Sequence, residues 1–90
     1  MKQEELIQEL HAIAQQLGVS IRYERGDFQG GYCILKADKI LLVNRQLMPG
    51  RKASILALAL QDIGLDNVFI KPAVRAFIED EVARARRKAS

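Results

Sequence analysis

The 90-residue sequence has few of the residues that build covalent cross-links and active sites. It contains one cysteine, one histidine and no tryptophan. A single cysteine excludes an internal disulfide and a cysteine-rich metal site, and it is typical of a reducing compartment. The longest apolar run, residues 55–60, is far shorter than the roughly 20 residues of a membrane-spanning helix. The first ten residues, MKQEELIQEL, are too polar for a secretory signal peptide. We therefore expect a cytoplasmic protein without membrane contact.

The segment of residues 54–63, SILALALQDI, is the most informative part of the chain because it contains no histidine, cysteine, glutamate, lysine or arginine. It predicts a helix that is apolar on nearly every side, and such a helix is normally the buried centre of a domain. An enzyme of this size would often place its metal ligands or its base there, but this helix offers leucine, alanine and isoleucine. The sequence therefore predicts a protein that is not an enzyme and has no catalytic, cofactor-binding or metal-binding residues.

The net charge of +3 arises from the end of the chain. Without the four basic residues of 84–90 the balance is 10 basic against 11 acidic residues, or −1. We predict a single α+β domain over residues 1–83 and a basic helix end or tail over residues 84–90. The four tail residues, Arg84, Arg86, Arg87 and Lys88, could contact nucleic acid, although a basic last turn also stabilises a helix through its dipole.

Hydrophobic spacing predicts six elements in the order α-β-β-β-α-α. Helices are expected at residues 2–17, 49–63 and 72–88, and strands at 19–25, 31–37 and 40–44. Three consecutive strands with short connections favour an antiparallel three-stranded sheet with helices packed on one face. Asp38 and Lys39 are at the right distance for the hairpin turn, and residues 40–43 are apolar at every position, which is typical of a central strand or of one whose second face is covered.

The residues that could serve as a metal ligand, a nucleophile or a phosphate-binding loop each have a simpler structural interpretation. His11 is on the edge of the apolar stripe of the first helix and has no second histidine for a metal site. Cys33 is in a predicted strand, where a small buried apolar residue is expected. The glycine-rich stretch of residues 26–31 connects two strands, whereas a phosphate-binding loop leads into a helix.

Partner binding is the leading prediction. Phe28 is an aromatic anchor in the glycine-rich loop, and the cations Arg45, Arg51 and Lys52 surround the start of the buried helix, where positive charge opposes the helix dipole. The apolar residues exceed what three short helices can cover, which favours a homodimer. The protein is thus predicted to be a protein-interaction module of unknown process. The alternatives are a nucleic-acid-associated module that uses the basic tail and an inactive peptidase-like fold that binds peptide.

The second half of the layout resembles the minimal core of small zinc metallopeptidases of the HExxH type. Gly30, Gly31 and Cys33 in a strand, followed by ILLVNRQLMPGRKASILALALQDIG, are similar to that family's strand, loop and active-site helix over residues 30–65. In the family, two histidines hold zinc and a glutamate acts as the base. Here Gln61, Asp62 and Leu65 occupy those positions, so the resemblance implies the fold without the activity, with peptide bound by strand addition at the sheet edge. The sequence also looks like small uncharacterised bacterial proteins of this length, a likeness that implies no function.

Overall fold

The computed structural model describes residues 1–89, which fold into three helices and three strands. The α+β class and the order α-β-β-β-α-α are confirmed. Residues 84–88 are the last turns of the third helix, and Ser90, the end of the predicted tail, lies outside the described residues. In chain order the elements are α1 (Gln3–Gln16), β1 (Ser20–Glu24), β2 (Gly30–Leu35), β3 (Asp38–Asn44), α2 (Pro49–Ile63) and α3 (Pro72–Ala89).

The sheet is mixed, which corrects the expectation of a fully antiparallel sheet. Its strand order is β1-β3-β2, with β1 parallel to β3 and β2 antiparallel to β3. Leu41 of β3 is therefore opposite both Ile21 and Tyr32. The physical reason is that residues 40–43 are apolar on both faces, so that β3 gains most by lying between two strands. The apolar pattern of residues 40–43 is compatible with a central strand or with one whose second face is covered, and the structure shows the central position. The sequence left the strand order open, and the antiparallel pairing expected of all three strands is wrong for β1.

The loop from β1 to β2 crosses the end of β3, and one side chain holds it there. The amide nitrogen of Asn44 donates to the carbonyl oxygens of Gly26 (2.8 Å) and Phe28 (2.6 Å). The Oδ1 atom of Asn44 accepts the backbone N–H of Gln46 at 2.9 Å. Asn44 is buried, and these bonds satisfy its polar atoms. The crossing spans two inter-strand spacings, roughly 10 Å, which residues 25–29 cover easily.

The turn between β2 and β3 lies two residues before its predicted position. Lys36 and Ala37 form it with φ angles of 51° and 72°, whereas Asp38 and Lys39 belong to β3. Two successive left-handed residues give a tight hairpin whose twist matches that of the strands. Asparagine and glycine are the usual residues at such positions, so lysine and alanine gave no signal in the sequence.

Helix α2 is the centre of the packing, as its composition predicts. It contacts α1, α3, β2 and β3, while α3 contacts only the other two helices, so all three helices lie on the same side of the sheet. Five α2 residues are buried, and truncation of a fully buried leucine there would cost about 2–5 kcal/mol. Other α2 residues stay half-buried or exposed, so the helix is not buried all round. The buried residues of α2 are Ala53, Leu56, Ala57, Ala59 and Leu60.

Candidate functional site

The outer edge of β2 is the most distinctive surface of the described residues. β2 is bonded to β3 on one side only, so the backbone groups of its other side have no strand partner within residues 1–89. None of the six residues of Gly30–Leu35 is charged. Ile34 and Leu35, which are 64% and 56% exposed, point to opposite faces because side chains alternate along a strand. We call this strand side the β2 edge.

The first turns of α2 lie beside the β2 edge, while Arg51 and Leu58 also line the cleft between α2 and α3. Arg51 donates a hydrogen bond to the side-chain oxygen of Gln29, and a Cβ built on Gly30 would come within 2.8 Å of the Ile55 Cγ2 atom. The start of α2 is therefore next to the start of β2. Spacings of four, three and four residues place Arg51, Ile55, Leu58 and Asp62 on one helix face, which we call the α2 stripe. Its two apolar members are half-buried and its two charged members are exposed.

The predicted anchor Phe28 is half-buried rather than fully exposed. The loop that carries it is held by Asn44, and the Phe28 ring lies against Gly26, where an added Cβ would approach the ring to 2.6 Å. The loop is thus packed in place, so that Phe28 contributes part of its ring to the surface.

The structure separates the predicted cations at the start of α2 into two groups. Arg45 and Lys52 border a shallow cleft of about 430 Å³, together with Tyr23 and Glu4. Arg51 faces away from this group, toward Gln29 and the end of α3. The three cations therefore do not form one binding site.

The basic residues of the chain end are also divided. Arg84 and Lys88 meet Arg51 at a cleft of about 380 Å³ between α2 and α3. Its floor includes Glu81, which is only 8% exposed and lies 3.7 Å from the Arg84 guanidinium. Arg87 is exposed on α3.

Arg86 borders a different and larger cleft of about 550 Å³ between α2 and α3. Gln61 and Leu65, two of the three positions that correspond to HExxH in the peptidase resemblance, line this cleft together with Glu79. Asp62, the third position, belongs to the α2 stripe. Within residues 1–89 no three histidine, cysteine, aspartate or glutamate residues lie close enough to hold a metal ion.

Cys33 is exposed, which corrects the expectation that it is buried. It lies opposite Ile40 of β3. Side-chain alternation puts it on the sheet face away from the helices, since its neighbour Tyr32 packs against the helix-side core. The sequence suggested burial because a free cysteine usually behaves as a small buried apolar residue, and residue type alone does not show which sheet face it occupies.

A polar contact between α1 and β1 was not predicted. The Tyr23 hydroxyl and the Nε2 atom of His11 share a hydrogen bond of 2.6 Å, and the Lys52 ammonium lies 5.6 Å from the Tyr23 ring centre. Burial lowers the pKa of His11 and raises the pKa of Tyr23. Both shifts favour neutral groups, so the hydroxyl donates to the imidazole. The sequence places both residues beside the core, but their meeting depends on how α1 packs on β1.

No family model, curated protein or solved structure matches the chain. The resemblance to zinc metallopeptidases accordingly stays a prediction. All helices of the described residues are too short or too polar to cross a lipid bilayer.

Proposed function

We propose that the protein is a protein-interaction module that accepts an extended segment of a partner protein as an additional strand at the β2 edge. The observation that carries this proposal is the uncharged edge strand with Ile34 and Leu35 exposed on its two faces. An added strand pairs with the free backbone groups of the edge, and its alternate side chains contact both apolar faces.

The absence of charged side chains and proline from this edge strand supports the proposal that a partner covers it. Natural proteins usually guard an edge strand with charged side chains, proline, a bulge or a covering element, because an open apolar edge pairs with other chains. Residues 30–35 contain no charge and no proline. A partner that covers the strand resolves this conflict. The resemblance to zinc metallopeptidases would imply the same mode of peptide binding.

The role proposed here is binding rather than catalysis, in the cytoplasm. The face of α2 that points into the core offers only alanine and leucine side chains. The exposed free thiol of Cys33 suits a reducing compartment, where it stays unpaired.

A synthetic strand tests the proposal. The probe is a peptide that copies residues 28–37 with serine in place of Cys33, added to the isotope-labelled 90-residue protein. We expect saturable chemical-shift changes at the backbone amides of Gly30–Leu35, because the added strand pairs along that edge. A matched peptide with proline in place of Tyr32 and Ile34 lacks two N–H donors and should bind at least about 10-fold more weakly.

Two results would contradict strand addition at β2. One is equal binding of both peptides, which would show that backbone pairing contributes nothing. The other is a set of shift changes confined to the clefts between α2 and α3.

A nucleic-acid-associated role is the second candidate, because the cleft formed by Arg51, Arg84 and Lys88 joins three cations from two helices. The buried carboxylate of Glu81 in that cleft and the separate location of Arg86 weaken it. If this role is correct, replacement of both Arg84 and Lys88 by glutamine should weaken binding of a generic DNA duplex. The slope of the logarithm of the binding constant against the logarithm of salt concentration should fall by the equivalent of about two phosphate contacts. Binding that is undetectable, or unchanged in the variant, would exclude it.

A further inference from the structure

We propose that the partner strand at the β2 edge is β2 of a second copy of this chain, paired antiparallel about a twofold axis. The strand order of the dimer is then β1-β3-β2-β2-β3-β1, a continuous six-stranded sheet. This inference rests on the proposed function and names its partner.

The α2 stripe is self-complementary under that symmetry. Its members follow each other at intervals of four, three and four residues, a sequence that reads the same in both directions. Two antiparallel copies of α2 therefore place Arg51 opposite Asp62 of the partner subunit, and Ile55 opposite Leu58 of the partner subunit. Two ion pairs thus flank two apolar contacts.

The position of the α2 stripe brings the helices together when the strands pair. Arg51 and Ile55 already contact the start of β2 through Gln29 and Gly30. Each α2 contacts both β2 and β3, so the two helix axes would lie about two inter-strand spacings apart, roughly 10 Å, which is close to the usual 8–10 Å of helix packing. Each end of α2 then meets the opposite end of its copy.

Charge distinguishes this arrangement from its alternatives. A parallel pairing of two copies would bring Arg51 close to Arg51 of the partner subunit, which is unfavourable. The edge of β1 carries Arg22 and Glu24, so it is a poorer surface for pairing.

The α2 stripe enlarges the surface that the β2 edge offers to a second copy. A stable dimer of standard size buries about 800 Å² per subunit, more than a six-residue strand edge supplies alone. The α2 stripe adds four side chains, among them the half-buried Ile55 and Leu58. These two residues and the exposed Ile34 and Leu35 would form the apolar centre of the interface.

The first test measures the mass of the 90-residue chain in solution. Sedimentation equilibrium should show a species of twice 10.1 kDa at micromolar concentration. Ile34→Lys places a charge on each copy of the edge and should weaken the dimer at least about 100-fold. Ser20→Lys, an exposed position on β1, is the matched control and should leave the mass unchanged.

The only cysteine reports where the copies meet. Nitroxide labels on Cys33 should be close together, because the two β2 strands are neighbours about 4.8 Å apart. A dimer formed through β1 would separate these strands by five spacings, about 24 Å. A label separation of that size would overturn the β2 pairing.

A charge exchange tests the antiparallel helix contact. Arg51→Asp and Asp62→Arg each bring like charges together and should weaken the dimer about 10-fold or more. The double variant should restore it. Arg51 and Asp62 are eleven residues apart on one helix, about 16 Å, so the recovery cannot come from within a chain. Both changes suit the dipole of α2, so helix loss cannot explain the weaker single variants.

The outcomes separate this inference from the proposed function. A chain that stays monomeric at several hundred micromolar, but still binds the residue 28–37 peptide at β2, overturns the dimer and retains strand addition. A dimer that Ile34→Lys leaves intact overturns the β2 edge as the site of dimer formation. A double charge variant without recovery overturns the antiparallel contact of α2.

Discussion

The two edges of the same small sheet are built in opposite ways. β1 carries Arg22 and Glu24 on exposed positions, and hydration of these charges opposes pairing with another chain. β2 carries no charge, and Ile34 and Leu35 are exposed. Both strands flank the same central strand, β1 parallel and β2 antiparallel to it, and their outward side chains differ in charge. This difference in charge is what the proposed strand addition at β2, and not at β1, rests on.

The largest expected effect concerns how β2 is held against the rest of the domain. Gly30→Ala should lower the free energy of unfolding by about 2–4 kcal/mol, measured by urea denaturation. Gly30 has a φ angle of +154°, and its new Cβ would approach the Leu42 carbonyl oxygen to 2.5 Å and the Ile55 Cγ2 atom to 2.8 Å. β2 is thus uncharged along its free edge and closely packed against Leu42 and Ile55 at Gly30.

Gly31→Ala is the matched control for that variant. The same methyl group is added one residue later, where nothing lies within 4 Å of it. We expect a change below about 0.5 kcal/mol. Equal losses for the two alanines would show that β2 is not packed on α2 as described.

The second effect concerns the loop that joins the two edges across β3. Asn44→Ala should cost about 2 kcal/mol, because the carbonyl oxygens of Gly26 and Phe28 lose their donor and Asn44 is buried. Asn44→Asp should be worse at neutral pH, since a carboxylate would face two carbonyl oxygens. Acidification should stabilise the aspartate variant relative to the alanine variant, since the protonated carboxyl can donate again. An aspartate variant as stable as wild type at pH 7 would contradict this account.

The sequence predicts the elements of this fold better than their arrangement. Local spacing was sufficient for the helices and is compatible with the central position of β3. The parallel pairing of β1 brings the β1–β2 loop over β3, where Asn44 bonds to Gly26 and Phe28, which lie 18 and 16 positions away in the sequence; no local pattern reveals such contacts. The hairpin turn was misplaced because Lys36 and Ala37 adopt left-handed angles that their residue types disfavour.

The candidate site was only partly visible in the sequence. The absence of charge in residues 30–35 can be read directly, but the strand order is needed to know that β2 is at an edge. Arg51 was predicted as a contact residue, yet its position beside Gln29, Arg84 and Lys88 depends on the packing of α3 on α2. The pair of His11 and Tyr23 likewise required the contact between α1 and β1.

The third effect concerns assembly and is tested by removing the charges that distinguish β1 from β2. Replacing Arg22 and Glu24 by threonine removes the charges of β1 and keeps a residue suited to strands. Stability should change by less than about 0.5 kcal/mol, since both side chains are exposed. The variant should form species larger than wild type as concentration rises, measured by light scattering, because both edges can then pair.

A matched variant, Arg75→Thr with Glu79→Thr on exposed positions of α3, should not form larger species. Identical scattering of both variants would show that charge does not protect β1.

The smallest effect concerns the attachment of β1 to α1 and its dependence on pH. Burial lowers the pKa of His11 below 6.5, so between the folded-state pKa and 6.5 the unfolded chain binds a proton that the folded chain does not. The free energy of unfolding therefore falls as pH drops through this window. Once protonated, the Nε2 atom of His11 can no longer accept the hydrogen bond that the Tyr23 hydroxyl donates.

His11→Gln removes the titration and keeps a side chain that can accept this hydrogen bond. Wild type should lose more stability than His11→Gln between pH 7.5 and 5.5, measured by urea midpoints at both values, while the carboxylates titrate alike in the two proteins. Parallel losses would show that His11 does not couple α1 to β1. A difference that disappears when Tyr23→Phe is added to both proteins would assign the coupling to the hydroxyl rather than to burial of the ring. In that case the bond between Tyr23 and His11 would be one of the contacts that hold β1, the charged edge strand, against α1.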